Sequence, residues 1–223
     1  MNRIFLLSPA HSGGQRAGWL TRPGASFELA RRLQIHDATL GEVFAFCSGL
    51  YFRGKLAYAQ HFCQPPPGVK GVYIITSSRG LVPEHEEIGL KEMEEFSRVA
   101  VDVTVPAFQE PLRRSVRELV SAVAGAKGKK KGPKALPPCE FVLLGSIATG
   151  KYVDALLPLL GDTLKFPAEF VGRGDLSRGG LMLKCVRENA ELQYALLREA
   201  KRQGHRAKRI GDMPQSSTPT PKQ

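Results

Sequence analysis

The chain has 223 residues, is 42% hydrophobic and 24% charged, and carries a formal net charge of +11. That length suits one ordinary domain, or one domain with appendages, and the composition is that of a globular chain rather than a disordered one. No apolar run approaches the ~18 residues that span a bilayer, which excludes a membrane-spanning helix, and Ile4–Leu7 is too short for a secretory h-region.

Cys47, Cys63, Cys139 and Cys185 lie far apart with no C-x-x-C pair, so neither a zinc ribbon nor a redox motif is expected. They read as buried or incidental thiols of a cytoplasmic protein. No metal is expected, and no cofactor can be assigned.

The positive charge is concentrated in two places. Residues 126–134 hold five lysines and no acid, and residues 198–223 hold seven basic side chains against two acidic ones. The rest is near neutral. Lys/Gly/Pro and Ser/Thr/Pro/Gln compositions cannot bury a core, so 1–197 reads as one α/β domain with a lysine-rich surface loop at 125–138. Residues 198–223 read as a basic, disordered tail. Such arms would attract DNA or RNA through phosphates without reading sequence, or serve only solubility.

Three apolar runs predict buried strands, each followed by a polar or Gly-containing loop: Ile4–Leu7, Val72–Ile75 and Phe141–Leu144. Val99–Val105 alternates up to Pro106 and predicts a fourth. Helices are expected over Phe27–Leu33, Gly89–Ser97, Gln109–Ala124, Tyr152–Leu160 and Glu188–Gln203. Thr39 and Glu42 have capping-box spacing at the head of one more helix, which runs to the prolines at 65–67. Strand–helix alternation predicts an α/β, three-layer sandwich with a mainly parallel central sheet, whose ligands bind beyond the carboxyl ends of the strands.

Four loops carry candidate chemistry. In the first, Ser8, Gly13 and Gly14 permit close approach to a ligand, Arg16 is placed to clamp an anion, and His11 is a candidate general acid or base. The second offers Ser77 and Arg79 for an anion and Glu84 as a base or sugar-hydroxyl acceptor. The third, Gly145-Ser146-Ile147-Ala148-Thr149-Gly150-Lys151, fits the phosphate-binding pattern G-x-x-x-x-G-K; Tyr152 stands where that pattern needs a magnesium-binding hydroxyl. The fourth, residues 170–180, reads as a glycine-rich loop with Arg173, Ser177, Arg178 and Gly179 for an anion and Asp175 for a proton, the alternative being a mobile turn. Arg53 and Lys55 interrupt the apolar helical pattern GLYFRGKLAYA; a charge there pairs with an acid or reaches a phosphate, or, as the usual explanation, is a snorkelling stem at the helix edge.

Two stretches resemble known families. VYIITSSRGLVPEHEEI looks like a segment of the accessory domain of archaeosine synthases, which modify deazaguanine in tRNA. CEFVLLGSIATGKYVDALLPLLGD is similar to the strand–LG-x-x-A–helix segment of uracil-DNA glycosylase-like proteins. GLYFRGKLAYA and FVGRGDLSRGG are similar to a bacterial family without an assigned activity. The first two resemblances imply a uracil-DNA glycosylase-like or Rossmann-like sheet and a nucleobase or nucleic-acid connection. The glycosylase pattern also has an Asp/Asn strand-exit motif and a His-containing loop; here His11 sits in a loop without an acid, and Asp175 in one without a histidine.

The expectation is therefore a protein related to nucleobases, nucleotides or nucleic acid, an enzyme acting on a glycosidic or phosphate-linked bond. A non-catalytic nucleic-acid-binding module tethered by basic arms is the alternative, and a P-loop-like nucleotide hydrolase a weaker one.

Overall fold

The computed structural model describes residues 1–126, 139–148 and 150–200. The chain opens with β1 (Asn2–Leu7), then α1 (Gln15–Thr21), α2 (Glu28–Gln34), β2 (Ala38–Thr39), α3 (Leu40–Ser48) and α4 (Leu50–Phe62). β3 (Val72–Ile75), β4 (Leu81–Pro83) and β5 (Glu87–Ile88) lead to α5 (Leu90–Arg98) and α6 (Pro106–Gly125). β6 (Cys139–Leu144), α7 (Val153–Leu160), β7 (Leu164–Pro167), α8 (Asp175–Glu188) and β8 (Tyr194–Leu196) follow.

Six strands form one mixed sheet in the order β4-β3-β1-β6-β7-β8. β3, β1, β6 and β7 run parallel, while β4 and β8 close the edges antiparallel. β1 is central: Leu6 pairs with Tyr73 on one side and Leu143 on the other. Its residues Ile4 to Leu7 are completely buried, as a strand covered on both faces requires. The β1–β3 and β3–β6 crossovers leave in opposite directions, so right-handed connections put them on opposite faces. α4 packs on α8, and α6 on α7. The arrangement is α/β and consistent with a three-layer sandwich.

The three apolar runs are strands as expected, and the capping box forms: Thr39 Oγ1 accepts from Glu42 N at 3.3 Å and Glu42 accepts from Thr39 N at 3.1 Å. Elsewhere the structure corrects the expectation. The helix headed by Thr39 is two helices, because Gly49 takes φ +66° between α3 and α4. Residues 99–105 are not a strand. Asp102 Oδ1 accepts from Thr104 N at 2.9 Å and Thr104 Oγ1 at 2.7 Å, and this local turn feeds Pro106 into the first turn of α6.

Residues 189–200 are not an α-helix either, and 201–203 of the expected helix lie outside the described residues. α8 ends at Asn189, which adopts left-handed φ, and Ala190 N closes back on Cys185 O. The chain then forms β8, where Tyr194 OH meets Tyr58 OH at 2.7 Å. Nor is 170–180 wholly a loop: α8 begins at Asp175, and Gly179 lets it touch α4, since a Cβ there would lie 2.9 Å from Leu50 O. The four cysteines are free; Cys139 and Cys185 are buried, Cys47 and Cys63 half-buried. Residues 127–138 and 201–223, which hold most of the net positive charge, lie outside the described residues.

Candidate functional site

The loops after β1 and β6 lead to opposite faces of the sheet, so the carboxyl ends of these neighbours form a topological switch point, where open α/β sheets bind ligands. A cleft of about 390 Å³ opens there. His11, Ser12, Ser77, Asp102 and Lys151 supply its polar groups, and Phe44, Phe96 and Val101 belong to its apolar wall. The Phe44 and Phe96 rings meet edge to face at 6.0 Å. A second groove of about 320 Å³ continues from Ser12 and Ser97.

His11 is exposed at the cleft, its carbonyl accepting from Gly14 N at 3.3 Å. A Cβ at Gly14 would lie 2.9 Å from the Nδ1 of this imidazole, so a side chain there would displace the ring. Gly13 also borders the cleft. Ser77 is buried and donates to Phe96 O at 2.7 Å, fixing the loop after β3 to α5. Asp102 is a carboxylate whose pKa the Thr104 hydrogen bonds hold below the usual range, with a smaller contribution from Lys151. Both bonds from Thr104 go to Oδ1.

Several expected residues lie elsewhere. Glu84 follows β4, and its amide bonds Val72 O at the amino end of β3, the end of the sheet opposite the cleft. Arg79 is engaged by acids, with Nε 3.0 Å from Glu95 Oε2 and Nη2 3.2 Å from Glu92 Oε1. Arg16 reaches Phe46 O at 3.4 Å near the end of α3. Arg173 bonds Glu169 O at 2.9 Å and Ser177 Oγ at 3.2 Å, both on the surface. Ser146 Oγ accepts from Ala148 N at 3.4 Å, and Gly150, at φ +68°, has the Asp154 carboxylate against it. Thr149 lies outside the described residues.

A second cluster sits under the switch point. Ser8 lies one residue beyond β1, its amide on Leu144 O at 3.0 Å. Gly145, one residue beyond β6, leaves room for it: a Cβ would lie 2.8 Å from Ser8 Cβ. Lys55 Nζ donates to Ser8 O at 2.6 Å and Ser8 Oγ at 2.8 Å. This amine is 1% exposed and packs on the Tyr51 and Phe52 rings, so it is not a snorkelling stem. Arg178 holds Phe170 O at 3.0 Å and 3.2 Å, with Asp175 3.8 Å from its Nη1.

Sequence reading missed Asp102 and the Lys55–Ser8 pair. The D-x-T-V-P string at 102–106 was the usable signal for Asp102, being a local turn before a helix-opening proline. For Lys55 the signal was a cation on the apolar stripe of a helix, which has to be paid for by a partner. Among the described residues no three metal-ligating side chains cluster, and no helix is long and apolar enough to cross a membrane. Comparison with protein-family models, curated proteins and solved structures finds no match in any of the three. Fold and site together define an α/β protein with a ligand-sized cleft at its switch point.

Proposed function

We propose that the protein is an enzyme that binds a nucleobase or nucleotide in the switch-point cleft and acts on its glycosidic or phosphate-linked bond. The observation that supports this most is the convergence of His11, Asp102 and Lys151 from three separate loops on one cleft. Phe44 and Phe96 are 1% and 2% exposed and back the floor of the cleft, so the apolar face of a base would meet the half-buried Val99 and Val101. Asp102 accepts from a sugar hydroxyl or activates water, His11 moves the proton, and Lys151 offsets negative charge. Among the four parallel strands the order is second, first, third, fourth in the chain. That doubly wound order supports a Rossmann-like or uracil-DNA glycosylase-like form of the fold.

The test incubates the full chain with nucleosides, nucleotides and uracil-containing DNA and follows released base or phosphate by chromatography. Turnover that falls ~10²–10⁴-fold in His11→Ala and Asp102→Asn supports the reading. Turnover of none of the substrates, or turnover in both variants equal to that of the parent, overturns it.

A further inference from the structure

We propose that the buried donors beneath the switch point form a subsite for a tetrahedral oxyanion, either a free ion or the phosphate of a ligand. Three helices begin around it: α4 at Leu50, α7 at Val153 and α8 at Asp175, none with a side-chain N-cap hydrogen bond. Helix starts present free amides and positive potential. Tyr51, only 8% exposed, has a hydroxyl with no hydrogen bond of normal geometry, and Arg178 is the cation beside it. Lys55 has two neutral acceptors in Ser8, and among the described residues no carboxylate forms an ion pair with it. A buried ammonium and a buried orphan hydroxyl both lack what an anion supplies.

Among the described residues, the charged and titratable groups around this cluster are Tyr51 on α4, Tyr152 at the start of α7, and Asp175 and Arg178 in the first turn of α8, and of these Asp175 acts on Lys55. Asp175 is the opposing acid, and it is largely exposed. Burial lowers Lys55 to about 7. An anion at Nζ favours the charged amine, so binding takes up a proton above that pH. Affinity then falls about tenfold per pH unit once the amine is neutral.

The inference does not depend on what the cleft binds, and its test uses different residues. The probe is inorganic sulfate, whose charge is constant across the range, titrated calorimetrically into the full chain at pH 6.5 and 8.5. Tyr51→Phe, which removes only the hydroxyl, should weaken sulfate about threefold to tenfold. Lys55→Met should weaken it at least about tenfold and remove the pH dependence, and Asp175→Asn should tighten it. If Lys55→Met does not fold, Tyr51→Phe and Asp175→Asn decide alone. A parallel titration with adenosine 5′-monophosphate separates the two sources: an equal loss on Tyr51→Phe assigns the subsite to a nucleotide phosphate, and a loss for sulfate alone to the free ion. Undetectable sulfate binding overturns the proposal, as does binding unchanged by these variants or between the two pH values.

Discussion

Asp102 and His11 line the same cleft, although one follows α5 and the other follows β1. The parallel sheet accounts for this. β1 and β3 deliver their loops to one edge, Ser77 ties the second loop to Phe96 O of α5, and the turn at 99–105 hangs from the end of that helix.

The cleft separates residues that the sequence grouped together. Arg79→Ala, which breaks contacts with Glu92 and Glu95, should leave nucleotide affinity unchanged, whereas Lys151→Met should weaken it about tenfold, or about 1.4 kcal/mol. Calorimetric titration of the two variants checks this.

Gly179 and Gly54 let α8 and α4 approach through their backbones. Gly179→Ala would push a methyl against Leu50 O and Tyr51 Cα, both 2.9 Å away. A loss of about 1–3 kcal/mol is expected in urea unfolding, the cost of overpacking where backbone cannot yield.

Lys55 titrates near pH 7 when folded and near 10.5 when unfolded. The unfolded chain therefore binds the extra proton between those values, and this group's contribution to stability rises as pH rises through that window. Below pH 7 the penalty of the buried charge is fully present. Lys55→Met should gain most over the parent below pH 7, and that gain should shrink towards pH 10, read as the difference in unfolding midpoint.

At the start of α3 the sign is reversed. The Arg32 guanidinium, together with Thr39, holds Glu42 down to about 2. The stabilisation is present above the usual carboxylate range near 4.5 and is lost as pH falls towards 2. Glu42→Gln should flatten that acid limb, and Thr39→Ala should cost about 0.5–2 kcal/mol at neutral pH by removing the cap. Acid titration of both variants, followed by circular dichroism, tests both effects.

What the sequence revealed and what it hid have physical reasons. Runs such as FVLL are legible as strands because a doubly covered strand buries consecutive apolar residues and the run is short and bounded by a turn signal, and Thr39 with Glu42 is a purely local device. V-A-V-D-V-T-V has the same apolar character, yet the Asp102 hydrogen bonds to Thr104 turn the chain there. Two short edge strands, β4 and β8, exist through their pairing with β3 and β7, which local pattern does not carry. Of the site, His11, Gly13, Ser77 and Lys151 were legible as strand-exit residues, because every parallel strand points its exit to the same edge. Glu84 looked equivalent, but the hairpin of β3 with β4 returns it to the far end.

The cleft's role is tested most directly by titrating adenosine 5′-monophosphate and adenosine into the full chain and into Asp102→Asn, which keeps an oxygen to accept from Thr104. Binding by the parent that weakens about tenfold or more in Asp102→Asn, while Glu84→Gln binds like the parent, is the result expected. Equal affinity in Asp102→Asn and parent, or no binding of either ligand, would contradict a nucleotide site in this cleft.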